Sequence, residues 1–201
     1  MTDAAFEILS REKGFRGFFD VDILRLRYRR FDGAWSNVLT RELCDRGEAA
    51  TVLPYDPVRD RVLLVEQFRV AAIDDPQGSW LLEPVAGIME PGESAEDVVR
   101  REAVEESGLV LRGLDPIACA YPSPGILHEQ VHFFVGHADL PEEGGVYGLV
   151  EEDEDIRTHV LPLDETLASI GRDKLRSVTA IVTLLWLATH KERLRAAWAG
   201  R

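Results

Sequence analysis

The sequence predicts an α+β fold, with a small antiparallel β unit over residues 1–50 followed by a larger α+β domain over residues 51–201. Three observations carry this expectation. Short runs rich in valine and leucine recur through the first half of the chain and are separated by turn residues. One capped helical stretch begins near residue 95, and a long apolar tail at the C-terminal end has the periodicity of a helix.

Taken in order, Val21 to Tyr28 alternates apolar and charged side chains, most cleanly where Leu24, Leu26 and Tyr28 enclose Arg25 and Arg27. Asp32-Gly33 supplies a turn before Ser36 to Leu43, which gives a hairpin. A second hairpin joins Ala49–Pro54 to Arg61–Phe68 through the turn Asp56-Pro57-Val58-Arg59-Asp60. Trp80 to Ala86 reads as one further strand leading into Gly87. Ser94 caps a helix from Ala95 to Ser107, with Asp97 three residues on, and Gly108 ends it. Strands follow at Pro116–Ala120, Gln130–Val135 and Arg157–Pro162, and helix resumes from Leu163 onward.

With 201 residues, 45% of them hydrophobic, the chain has enough apolar surface for a sizeable core. Its most apolar run, Val178 to Leu187, is short of the roughly 18 residues that cross a bilayer, and the N-terminal residues lack the order of a secretion signal. The expectation is a cytoplasmic protein. A formal charge of −13 argues against nucleic acid and anionic membrane as partners, since both are held by basic patches. An anionic substrate then calls for divalent cations between the protein's carboxylates and its phosphates.

The helix at 95–107 carries such carboxylates on the face where core residues should continue. At roughly 100° per residue, Ala95, Val98 and Val99 share a side with Glu102 and Glu106, and Glu105 lies at its edge. A solvated face with an Arg101–Glu105 pair is the ordinary reading of such a helix. It leaves Glu102 and Glu106 as a like-charged pair one turn apart, repelling by a few tenths of a kcal/mol. A hard cation between them resolves the repulsion, and a backbone carbonyl at Ala86, where the preceding strand ends, offers one more oxygen.

From Gly87 to Leu109 the chain resembles the Nudix box, with Gly87, Glu93, Arg101-Glu102, Glu105-Glu106, Gly108 and Leu109 at the fixed positions. Ala103 stands where the family carries a larger aliphatic residue. The resemblance implies an α/β/α sandwich with a mixed sheet, Mg²⁺ as cofactor with Mn²⁺ as the alternative ion, and hydrolysis of a nucleoside diphosphate linked to a second group. It implies Glu102, Glu105 and Glu106 as metal ligands, beside the Ala86 carbonyl that the strand end offers, with Glu93 and Arg101 as a brace between loop and helix and Gly87 and Gly108 as turn residues.

Beyond the box the chain looks most like ADP-ribose pyrophosphatases, in Arg41-Glu42, Leu53 to Asp60, Val65-Glu66-Gln67-Phe68-Arg69, Trp80 to Glu83, Ser123-Pro124-Gly125 with Glu129, and Glu152 to Ile156. That resemblance implies ADP-ribose as substrate, AMP and ribose 5-phosphate as products, and a homodimer that exchanges its N-terminal β units. Pro124 is the proline that goes with ADP-ribose preference in these enzymes, although turn chemistry alone also favours it there. Arg69 and Arg41 become phosphate or ribose contacts, Ser123 and Glu129 further substrate contacts, and Phe18 or Phe19 either a stacking partner for adenine or a core aromatic. The acidic run from Glu151 to Asp155 corresponds to a loop bearing a water-activating glutamate, Glu152 or Glu154. The alternatives are another nucleotide sugar, such as GDP-mannose or ADP-glucose, and a binding module without catalysis.

Overall fold

The computed structural model describes residues 5–149, 151 and 153–199. Two compact units emerge: residues 1–47 with 121–130, and residues 48–120 with 131–201.

In the first unit, β1 (Phe6–Arg16) and β2 (Asp20–Tyr28) form an antiparallel ribbon with register shifts at Ile8/Ser10 and Lys13/Phe15. β2 pairs in turn with the first part of β3 (Leu39–Asp56), Leu24 opposite Arg41. The alternation in β2 turns Asp22 and Leu24 to one buried face. Asp22 is charged, so its burial is sustained by Arg11 and by Lys13, whose Nζ lies 2.9 Å away. Trp35 sits under two guanidiniums, Arg27 and Arg29, at 4.7 and 4.3 Å from its ring centre. The strand β1 has no sequence-level signal, because nearly all of its residues are exposed and neither of its faces is consistently apolar.

In the second unit, the rest of β3 pairs antiparallel with β4 (Arg61–Phe68) near their shared turn and with β6 (Val85–Ile88) further back. β4 also pairs with β5 (Trp80–Glu83). The Trp80–Ala86 run is therefore two strands. Pro84, which lacks an N–H and cannot donate to a ladder, stands at the break, and the chain changes partner there from β4 to β3. The helix α1 (Ala95–Ser107) has the bounds expected from its caps: Ser94 Oγ accepts the Asp97 N–H at 3.2 Å, and Gly108 takes a left-handed φ of 66°. β7 (Gly113–Ala120), β8 (Leu127–His137), β9 (Val146–Tyr147) and β10 (Ile156–Pro162) complete the sheet, with β10 against the other edge of β4. The C-terminal helix is divided into α2 (Leu163–Ala168) and α3 (Val178–Trp198) by an irregular segment that includes Gly171 at φ 75°. No helix among the described residues is long and apolar enough to cross a membrane.

Two cores lie on opposite faces of this sheet, and the two-residue strand period separates them. On β4, Leu63 and Val65 join Val98, Val99 and Ala103 of α1, whereas Val62 and Leu64 join Leu163 of α2 and Leu184, Leu187 and Leu194 of α3. Helices thus cover both faces of a largely antiparallel sheet. All of these side chains are inaccessible to solvent. Each of these valines and leucines contributes roughly 1.5–3 kcal/mol of burial free energy.

Candidate active site

The α1 face of the second unit carries the box carboxylates. Glu106 is only 3% exposed, and its Oε2 accepts the backbone N–H of Ala86 at 3.1 Å. Burial pushes its carboxyl up to about 8, the Ala86 bond opposes the shift, and the nearby Glu102 and Glu154 charges add to it. Glu102 is likewise pushed up to about 7 by burial, against the pull of Arg101. Both carboxylates are therefore desolvated on a face that also holds negative charge from Glu154.

Gly87 explains how Glu102 comes so close to the sheet. A Cβ built on Gly87 would lie 1.9 Å from Glu102 Oε1, so only glycine leaves room for the carboxylate over β6. Arg101 stands at the outer rim: its guanidinium meets Glu93 at 3.2 and 3.4 Å, Glu102 at 2.7 Å and Glu105 at 3.0 Å. Glu93 also accepts the Glu90 N–H at 3.0 Å, which closes the loop before the helix. These bonds, led by those donated to Glu93, hold the Arg101 charge more firmly than in a free side chain.

Arg69, just beyond β4, is ion-paired to Glu83 of β5, and its charge acts on Glu106 from across the face. Glu154 accepts the Leu149 N–H through Oε2 at 3.3 Å and lies near enough to Glu102 and Glu106 to raise both. Glu152, the other loop glutamate, lies outside the described residues.

The remaining candidates belong to the first unit. Phe18 is 88% exposed and meets Phe19 edge-on, with ring centres 4.7 Å apart, so Phe18 is not a core residue. Arg46 lies 5.3 Å over the Phe19 ring and 3.4 Å from the buried Glu129. Arg41 projects exposed from β3, and Ser123 caps a turn whose Ile126 and Leu127 N–H groups it accepts through its carbonyl.

Sequence reasoning did not single out a cleft of about 420 Å³ lined by Gln67, Phe68, Trp80, Asp153, Glu154, Asp155 and Ile156. One signal was available: Gln67 occupies the same strand parity as the core residue Val65, where a polar side chain is out of place.

Among the described residues no three acidic, histidine or cysteine side chains converge into a ready-made ion cage. The donor set nonetheless fits Mg²⁺. It offers only oxygens, and two of its carboxylates, the buried Glu106 and the half-buried Glu102, sit one helical turn apart with raised proton affinity, an arrangement that a cation relieves. Mg²⁺ takes most of its ligands from water and substrate phosphates and needs one or two protein carboxylates.

Comparison with known proteins agrees with this geometry. The family model described as the NUDIX domain matches residues 45–180. An ADP-ribose pyrophosphatase from Escherichia coli (strain K12) is 44% identical over 193 residues, covering 96% of this chain and 92% of that protein. One from Haemophilus influenzae is 37% identical over 96% of this chain and 90% of its own length. A GDP-mannose pyrophosphatase from Salmonella paratyphi B is 36% identical over 74% of this chain and 78% of its own. A crystal structure of an ADP compounds hydrolase shares the fold at a TM-score of 0.73, with 21% identity over 96% of this chain and 97% of its own. A matched domain, box carboxylates desolvated over Gly87 and relatives spanning nearly the whole chain together show that the chain belongs to the Nudix family of hydrolases.

Proposed function

We propose that this chain hydrolyses the pyrophosphate bond of ADP-ribose, giving AMP and ribose 5-phosphate, with Mg²⁺ as cofactor. The observation that carries the reading is the carboxylate face of α1: Glu106, 3% exposed and bonded to the Ala86 N–H, with the half-buried Glu102 one turn before it over Gly87, both with raised proton affinity. The two ADP-ribose pyrophosphatases, similar over at least 90% of their own length, support the substrate.

Glu102, Glu105 and Glu106, with the Ala86 carbonyl, are the residues that would hold the ion. Mg²⁺, when bound, neutralises the phosphate oxygens and lets an anionic substrate approach a chain of formal charge −13. Arg69 donates to a phosphate oxygen, its planar guanidinium being suited to such a contact. Arg101, bonded to Glu93 of the loop and to Glu102 and Glu105 of the helix, keeps the loop and helix in fixed relation. The glutamate that takes the proton from the attacking water comes from the loop at 151–155, because box carboxylates committed as ligands are not available as bases. Glu152 is the first choice and Glu154 the second.

Phe18, Phe19, Arg41, Ser123 and Glu129 form the contacts to adenosine and ribose. Phe18, Phe19 and Arg41 lie in the N-terminal β unit, and this supports a homodimer in which the N-terminal β units are exchanged between copies. Light scattering on the full chain and on a chain lacking residues 1–50 tests this; a truncated monomer with unchanged KM would refute it.

The 36% identical GDP-mannose pyrophosphatase favours a second reading, hydrolysis of another nucleotide sugar. Turnover with ADP-ribose, ADP-glucose and GDP-mannose, each with Mg²⁺ and with chelator, separates the two. ADP-ribose should have the highest kcat/KM and release AMP, and chelator should abolish the reaction.

A further inference from the structure

Gln67 is a buried side chain with an unmet hydrogen-bonding need. It is 9% exposed, yet its Nε2 finds no partner among the described residues. A buried amide donor without an acceptor destabilises the unliganded fold, so its retention points to an acceptor that arrives from outside. It lines the 420 Å³ cleft, which is within the size range of small-molecule sites. Along β4, Val65, Gln67 and Arg69 fall on one face by the strand period, and Val65 packs in the core beneath α1. Phe68 and its cross-strand partner Trp80 carry the opposite parity, so the cleft lies at the end of β4, where residues of both faces line one space, and Glu154, which also lines it, is near enough to Glu102 and Glu106 to act on their charge.

Its walls have two characters. Phe68 and Trp80 are opposite one another in the β4–β5 ladder, their ring centres 6.1 Å apart at 72°, and they remain 50% and 40% exposed. The cleft is also lined by Asp153, Glu154 and Asp155, and among the described residues no lysine or arginine lines it. A phosphate placed there would meet like charge with no cation to offset it. A polyhydroxylated ring suits both walls, with C–H groups to lay against aromatic surface and O–H groups to donate to carboxylates.

We propose that this cleft receives the sugar ring at the end of the substrate remote from the adenylate, with Gln67 Nε2 donating to a ring or hydroxyl oxygen and Trp80 packing against the C–H face. The proposal rests on the reading above that a nucleotide sugar is the substrate, and it makes Gln67 and Trp80 determinants of which sugar is accepted.

The test uses the full chain with Mg²⁺ and the variants Gln67→Leu, Trp80→Ala and Trp80→Phe. For Gln67→Leu and Trp80→Ala, KM for ADP-ribose should rise about tenfold with kcat within a few-fold, the scale of one lost contact. Inhibition by ribose 5-phosphate should weaken by the same factor while inhibition by AMP is unchanged. Trp80→Phe should recover most of the loss. Gln67→Leu should melt at or above the wild-type temperature, because an unsatisfied buried donor has been removed.

A weakened AMP with unchanged ribose 5-phosphate would place the base in the cleft and overturn the proposal. So would unchanged inhibition by both, or a lower melting temperature for Gln67→Leu with unchanged KM. A wild-type chain inactive on ADP-ribose would instead refute the substrate. The cleft would then be judged by calorimetric titration of ribose 5-phosphate: binding to the wild type that is lost in Gln67→Leu supports it, and no binding to the wild type overturns it.

Discussion

Glu106 Oε2 accepts the Ala86 backbone N–H at 3.1 Å and so joins the last turn of α1 to the strand that precedes the box loop. Glutamine at 106 retains an oxygen for that bond but removes the charge. Glu106→Gln should fold normally by circular dichroism and lose about a hundredfold or more in kcat/KM, since it weakens the cation site itself. Near-normal turnover at saturating ADP-ribose and Mg²⁺ would refute the ligand role of Glu106.

Gly87→Ala addresses the same site from the sheet side. The added methyl would collide with the Glu102 carboxyl, and the carboxyl, being the end of a flexible side chain, can swing away. Activity should fall about tenfold to a hundredfold, as for other small misplacements of catalytic groups, while the melting temperature changes little. A large loss of stability with full activity in the remaining folded protein would show that the glycine serves backbone conformation alone.

For the loop, Glu152→Gln and Glu154→Gln separate base from bystander. The variant lacking the base should lose on the order of 10² to 10⁴ in kcat and still bind a non-hydrolysable ADP-ribose analogue. Loss confined to Glu154→Gln would transfer the role to Glu154, and two active variants would remove the loop from catalysis.

Glu66 governs part of the acid stability. It is 6% exposed, and burial alone would raise its carboxyl, but hydrogen bonds from Lys174 and His159 outweigh that and leave it below the usual 4.5. A depressed carboxyl stabilises the fold above its unfolded value and loses that contribution as pH falls through the lowered folded value. Glu66→Gln should therefore cost about 1–3 kcal/mol near pH 6, and the difference from wild type should shrink below pH 4. Urea unfolding at the two pH values measures it; a difference independent of pH would mean that the charge of Glu66 is immaterial.

Much of this was legible in the chain itself, for local reasons. α1 could be bounded from Ser94, Asp97 and Gly108 because caps act within a few residues, and its acidic inner face followed from helical periodicity. The strand β1 was invisible because most of its residues face solvent, which leaves no pattern for burial to impose. The break at Pro84 was also missed, since Trp80 to Ala86 is continuous in hydrophobicity and only the change of partner strand divides it. The cleft around Gln67 was hidden for the opposite reason: Phe68 and Trp80 are twelve residues apart and meet only through strand register.

The assignment of β4's alternate residues to two different cores has an evolutionary consequence. Val62 and Leu64 answer only to the packing of α2 and α3, whereas the parity of Leu63 and Val65 continues into Gln67 and Arg69, beside the carboxylates. Selection on the first set acts through the abundance of folded protein and can be satisfied by any apolar side chain of suitable volume. Selection on the outer members of the second acts through what is bound and turned over. A lineage can thus drift in stability at Val62 and Leu64 while adapting its specificity at Gln67 and Arg69, and the two histories are interleaved within one short run of chain.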